Sequence, residues 1–219
     1  SFGVVAMLVL LGAALLLALA LPRFFIDVLA LYFIAAVAYS LWLKRKALVD
    51  GLVLAGLYTL RLIAGAAVIE VLPSFWLLAF SMFIFLSLAF IKRYSELRLL
   101  NPTTDTPVAG RGYTAVDMET LAQLGSASGF LAVLVLALYI NGSKVEQMYA
   151  RPEVLWILCP MMLYWVSRMW LLTRRGDMHE DPVVFTLRDL RTWVLAALAG
   201  GALLLALYWP QFRALVPWP

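Results

Sequence analysis

"FWLLAFSMFIFLSLAFI", residues 75 to 91, carries no charge along its whole length and is followed at once by "KRYSELRLL", residues 92 to 100. A bilayer core about 30 Å thick calls for roughly 20 apolar residues per helical span, and this stretch with its flanks is of that size. It shows none of the period-two alternation of a half-buried strand. Runs of the same kind recur on either side of it: about 2 to 22, 25 to 43, 50 to 72, 74 to 91, 119 to 141, 153 to 173 and 192 to 209. The fold class expected is therefore all-α, a polytopic transmembrane helix bundle of about seven spans, and not a β-barrel.

Composition agrees. Of 219 residues 64% are hydrophobic and 14% charged, against roughly 25% charged in an ordinary soluble domain. The net charge of +4 is no nucleic-acid signal, because it has to be read loop by loop. The basic connections between spans are the second, with Lys44, Arg45 and Lys46, the fourth, with Lys92, Arg93, Arg98 and Arg111, and the sixth, with Arg174, Arg175, Arg188 and Arg191. The positive-inside rule places those three in the cytoplasm, so the expected location is a multi-pass cell-membrane protein with its chemistry on the cytoplasmic face. Cys159 sits alone inside an apolar run and reads as packing. The chain opens at Ser1 without a Met or a signal peptide, and further sequence is expected upstream.

The whole of 1–219 reads as a single membrane domain whose cytoplasmic connections 92–118 and 174–191 cap something below. "NPTTDTPVAGRGYT", 101 to 114, is too rich in Pro, Thr and Gly for a buried helix. After it the chain re-enters the membrane with Asp117 as the expected N-cap and with Gly125, Ser126, Ala127, Ser128 and Gly129 small enough for close helix contact. "FTLRDLRT", 185 to 192, reads as a short interfacial helix, and His179, the one histidine, as a surface residue.

Charges within spans are costly, roughly 2.5 to 3.5 kcal/mol each on insertion scales. Arg61 is the clearest case. At helical spacing Asp50, Tyr58, Arg61 and Gly65 fall on one face, and Arg61 lies roughly 16 Å below Asp50, near mid-membrane. It is either satisfied locally, by helix carbonyls or by Asp27, or offered to an anionic group in the bundle. Lys92, Arg93 and Glu96 are three and four residues apart and meet on one side of their helix. The two cations could grip phosphate, while Glu96 is either their surface partner or a ligand of a divalent cation. Tyr39 with Lys44 is either an interfacial belt or part of the same basic mouth.

The stretches "YSLWLKRK" and "DGLVLAGLYTLRLIAGAA", then "FLSLAFIKRYSELR", "GRGYT" and "RGDMHEDPVVFTLRD", in that order, resemble the UbiA prenyltransferase superfamily over nearly the whole chain. The branch most similar contains decaprenyl-phosphate phosphoribosyltransferase. The resemblance implies a nine-helix α bundle, Mg²⁺, and a diphosphate-bearing substrate held under cytoplasmic loops. Tyr39 and Lys44 match the family's Tyr and Lys, five apart where many members have four. "KRYSELR" falls at the second Asp-rich motif with Glu96 as its one acid, a departure shared with the phosphoribosyltransferase branch. The first motif, NDxxDxxxD, is not in the chain, which implies that two helices and this motif lie upstream and that this fragment alone is inactive.

What the resemblance implies chemically is an integral membrane transferase acting on polyprenyl phosphate and a diphosphate donor, most simply phosphoribosyl diphosphate. Tyr39, Lys44, Asp50, Tyr58, Arg61, Lys92, Arg93, Arg111 and Tyr113 would bind phosphate or diphosphate, with Glu96 as the metal ligand. Prenyl transfer from a prenyl diphosphate to an aromatic or lipid acceptor is the alternative. A lipid or anion transporter is the non-enzymatic one, since an intramembrane Arg under a basic mouth also suits anion movement.

Overall fold

The computed structural model describes residues 2–100, 112–178 and 181–215, and among these the chain is helical without a strand. Among the described residues nine α-helices follow one another: α1 (Phe2–Leu19), α2 (Arg23–Leu41), α3 (Val49–Val68), α4 (Phe75–Leu100), α5 (Asp117–Ile140), the short α6 (Ser143–Met148), α7 (Leu158–Arg175), the short α8 (Pro182–Arg188) and α9 (Leu190–Leu215). Turns of 3-10 helix at Leu43–Arg45 and Pro152–Ile157 lead into α3 and α7. Among the described residues six helices are long and apolar enough to cross a membrane: α2, α3, α4, α5, α7 together with the turn before it, and α9. The first of the seven expected runs is α1, an apolar helix of 18 residues that rests lightly on α2. The protein is an all-α, membrane-embedded bundle.

α4 is its spine, packed most closely against α5 and next against α3, with α2 beyond α3 and α7 beyond α5. The α4–α5–α7 contact depends on small residues. A Cβ on Gly125 would run into the Trp170 ring and come within 2.9 Å of the Phe90 Cβ, and one on Gly129 would meet Val166 and lie 3.0 Å from the Ser87 hydroxyl. The Trp170 indole N–H donates to Ser87 Oγ at 3.0 Å, so the indole's polar atom is satisfied where it is buried. Cys159 is buried with Val133, Ile140, Val145, Leu155 and Ala206, a packing residue as expected.

Three element ends differ from the sequence expectation. α4 does not stop at Ile91 but continues to Leu100, because Phe90, Ile91, Tyr94 and Leu97 extend the buried stripe beyond the charged residues. The cap expected over 92–118 is thus helical up to Leu100. Asp117 is the first residue of α5 and not its N-cap: its carboxylate reaches back to accept from the Thr114 N–H at 2.8 Å and hydroxyl at 3.0 Å. In the connection 174–191, α7 runs to Arg175 and the expected interfacial helix is α8, started by Asp181, which accepts from the Val183 N–H at 3.0 Å, with Pro182 at its first position.

α7 ends on Gly176 at φ 85°, a left-handed position that suits glycine. Arg98 at the end of α4 donates to the carbonyls of Arg174 and, at 3.0 Å, of Arg175, placing a cation on the negative pole of the helix. At the other end of the bundle Pro210 kinks α9 at Tyr208. Its ring displaces the helix bond to the carbonyl four residues back, and the freed Ala206 carbonyl accepts from the Arg151 N–H at 3.0 Å.

Candidate functional site

The ends of α2, α3 and α4 that carry basic connections meet at Arg93. Its side chain is 2% exposed, and its Nε meets the carboxylate of the fully buried Asp50 on α3. One terminal nitrogen donates to Glu96 at 2.5 Å, one helical turn along, and the other to the Tyr39 hydroxyl of α2 at 2.8 Å. The Nε–Oδ2 contact is close but not aligned as a hydrogen bond, so those two atoms have proximity and charge but no bonded partner. A single arginine therefore ties α2, α3 and α4 together.

The other Asp50 oxygen accepts from the Tyr113 hydroxyl, which in turn accepts from the Leu48 N–H at 2.8 Å. Leu48 adopts φ 64° to present that N–H. Next to Tyr113, Gly112 at φ 72° lies so close to the Arg45 carbonyl that a Cβ would collide with it. The start of the segment leading to α5 is thus pinned onto the turn between α2 and α3. Burial, followed by the hydrogen bond to Asp50 and that residue's charge, pushes the Tyr113 phenol well above the ordinary tyrosine range.

Lys92, the neighbour of Arg93, turns to a different partner. Its Nζ donates to Asp181 at 2.5 Å, with both side chains part-exposed, and so latches α8 onto α4. Burial alone would raise the Asp181 carboxyl, but the hydrogen bonds from Lys92 and from the Val183 N–H outweigh it and hold the group below the usual aspartate range. Beneath the latch a narrow crevice is lined by Tyr58, Phe85, Lys92, Asp181 and Pro182, with Tyr58 stacked on Phe85 at 5.1 Å.

Deeper, Arg61 is held by Tyr32 of α2, whose hydroxyl accepts from Nε at 3.1 Å and from Nη2 at 2.6 Å. The guanidinium also lies 5.3 Å from the Tyr32 ring centre and 4.9 Å from that of Tyr58, in cation–π range. Tyr32, and not Asp27, is its partner. The shared face read from the sequence is therefore graded: Asp50 is buried, Tyr58 half-buried, Arg61 and Gly65 exposed.

Of the expected site residues the structure unites Tyr39, Asp50, Arg93, Glu96 and Tyr113 in one network, sets Lys92 and Tyr58 beside it, and puts Arg61 below. Lys44, with Arg45 and Lys46, lies in the adjoining turn with no side-chain partner among the described residues. Arg111 and His179 fall outside the described residues. Sequence reasoning missed Tyr32, Leu48 and the pairing of Lys92 with Asp181; only the mid-span position of the Tyr32 hydroxyl hinted at the first. The expectation that Arg93 grips phosphate does not fit its surroundings, since Asp50 and Glu96 already neutralise it and it is closed to solvent.

The donors among the described residues do not by themselves make a magnesium site either. Glu96 and Asp50 are engaged by Arg93, and no group of three Asp, Glu, His or Cys suited to a metal occurs among the described residues. Farther along the bundle, away from the network, an apolar cavity of about 410 Å³ lies between α4, α5, α7 and α9, against Phe80, Ile84, Met162, Trp165 and Ala199.

No family model matches the chain. It is 35% identical over 207 residues to the uncharacterized protein y4nM of Sinorhizobium fredii, a match covering 94% of this chain and 40% of that protein. With the nodulation protein NoeC of Azorhizobium caulinodans it shares 34% identity over 160 residues, covering 73% of this chain and 52% of the relative. The chain thus spans about half the length, or less, of these curated relatives.

Proposed function

We propose that this chain is the membrane part of a UbiA-type transferase that joins a polyprenyl phosphate to the sugar of phosphoribosyl diphosphate at the cytoplasmic face. The observation that carries the reading is convergence. The stretches that resemble the superfamily, 39–46, 50–67, 85–98, 110–114 and 175–189, are far apart in sequence, and their described residues Tyr39, Asp50, Arg93, Tyr113, Lys92 and Asp181 meet at one end of the bundle.

The chemistry would proceed by attack of a lipid phosphate oxygen on the anomeric carbon while the bond from that carbon to the diphosphate oxygen breaks and diphosphate departs with the electron pair. Departure is favoured by fixed positive charge at the leaving group. Lys44, Arg45 and Lys46, without side-chain partners among the described residues, and Lys92 at the edge of the crevice are the groups available for it. Arg93 acts as a positioning residue that holds α2, α3 and α4 in register beneath them. The apolar cavity between α4, α5, α7 and α9 is suited to hydrocarbon. A divalent ion at the diphosphate would need ligands beyond the described residues.

The test is an assay of the protein at its full natural length in membranes, with polyprenyl phosphate and labelled phosphoribosyl diphosphate. Labelled lipid supports the reading. Label transferred instead from an allylic diphosphate to an aromatic or lipid acceptor would replace it with prenyl transfer, and no product with either donor would remove the transferase.

A further inference from the structure

We propose that the outer seam between α7 and α9 is a binding site for an anionic phospholipid, separate from the proposed transfer site and independent of that function. A cavity of about 310 Å³ opens there, lined by Tyr164, Ser167, Arg168, Leu171 and Arg175 of α7 and by Arg191 of α9. These residues occupy the side of α7 turned away from Val166, Met169, Trp170 and Thr173, which are buried. α7 itself therefore stands between this seam and the Arg93 network.

Charge and depth define the ligand. Arg168 is paired bidentately with Asp189, at 2.7 and 2.9 Å. Asp189 also accepts from the Thr192 N–H at 2.9 Å and hydroxyl at 2.7 Å. That pair is neutral and fixes α9 against α7. Arg175 and Arg191 have no ion-pair partner among the described residues and both are exposed, leaving the upper end of the cavity with two uncompensated positive charges. Tyr164 is eleven residues from Arg175, roughly 16 Å deeper along the helix. Between them Leu171 and Ser167 offer an exposed, uncharged track.

The seam thus presents cations at headgroup level and an apolar path below, the arrangement by which basic pockets between transmembrane helices hold lipid headgroups. Its open side faces the surrounding lipid, at the basic end that the positive-inside rule assigns to the cytoplasmic leaflet. An anionic diacyl phospholipid of that leaflet is the occupant that matches charge, depth and access together. Asp189 is spent on Arg168, and no carboxylate lines the cavity among the described residues.

The experiment is native mass spectrometry of the detergent-purified full chain titrated with phosphatidylglycerol or phosphatidylcholine. Wild-type protein is expected to bind one phosphatidylglycerol in preference to phosphatidylcholine, and the Arg175→Gln/Arg191→Gln variant to lose that preference by roughly tenfold or more. Ser167→Trp, which fills the track without touching charge, should weaken both lipids. A control, Arg23→Gln/Lys144→Gln, removes the same charge at the opposite end and should leave the preference intact. No preference in the wild type, a preference surviving in the seam variant, or equal loss in the control would each overturn the proposal. So would a polyprenyl phosphate that binds the seam better than phosphatidylglycerol does.

Discussion

Arg93 of α4 and Asp50 of α3 form a buried ion pair, and the second Asp50 oxygen accepts from Tyr113, so one carboxylate joins a helix, its neighbour and the segment that leads to α5. Removing one member of a buried pair costs about 3 to 5 kcal/mol when it strands the other charge, less here because Glu96 stays paired with Arg93. Asp50→Ala is therefore expected to loosen the basic end, seen as a fall in the thermal midpoint in detergent. Asp50→Leu combined with Arg93→Met removes both charges and should recover most of the loss. Equal damage in the single and double variants would contradict the pairing.

Tyr113→Phe keeps the ring but deprives both Asp50 and the Leu48 N–H of a partner. Leaving such buried groups unmet costs about 1 to 3 kcal/mol. Hydrogen exchange at Leu48 and around residue 114 should quicken while the core of α4 stays protected. The phenol's pKa is raised in the folded protein, by burial first and Asp50 second. Its contribution is therefore whole below the unfolded tyrosine value of about 10 and is lost only as pH rises through the higher folded value. Absorbance titration at alkaline pH should show one tyrosine, absent in the variant, ionising last.

The Lys92–Asp181 latch carries the opposite sign. The folded Asp181 carboxyl lies below the ordinary aspartate range. Its stabilisation is fully present above the unfolded value of about 3.9 and disappears as pH falls through the lower folded value. Amide exchange in α8, followed at Val183 and Phe185, should accelerate only in that acidic window. In Asp181→Asn it should be fast already at neutral pH.

How much of this was legible in sequence depends on what fixes each feature. The spans, the small-residue contact at Gly125 and Gly129, and the short helix before α9 follow from hydrophobic runs, side-chain volume and turn chemistry, all local properties. The Arg93–Glu96 pair follows from helical spacing. What could not be read was which way Lys92 and Arg93 face. One residue apart on a helix, they point about 100° away from each other, and the packing of α3 and α8 decides that one meets Asp50 and the other Asp181. Tyr32 and Arg61 are joined for the same reason, since a helix apolar all round carries no periodic signal of its rotation.

Gly125 tests the closest contact in the core. A Cβ there overlaps the Trp170 ring, which is itself fixed by its bond to Ser87. Overpacking of this kind costs about 1 to 3 kcal/mol, and Gly125→Ala should lower the thermal midpoint. The paired variant Gly125→Ala/Trp170→Phe, with a smaller ring, should regain part of it. A Gly125→Ala protein as stable as the wild type would mean that α5 and α7 are not this close.

Arg61 separates a structural role from a functional one. Tyr32 supplies its hydrogen bonds and Tyr58 a ring face, yet the guanidinium is still exposed at a depth where charge is costly. Arg61→Leu should therefore insert and fold at least as well as the wild type, judged by expression and thermal midpoint. If the guanidinium receives an anionic group of the substrate, turnover should drop by about tenfold or more, as for loss of a charge-assisted hydrogen bond. Arg61→Lys should recover only part of that, because an ammonium keeps the charge but not the planar fork that contacts Tyr32 at two points. Unchanged transfer to polyprenyl phosphate in Arg61→Leu, with folding intact, would reduce Arg61 to a tie between α2 and α3.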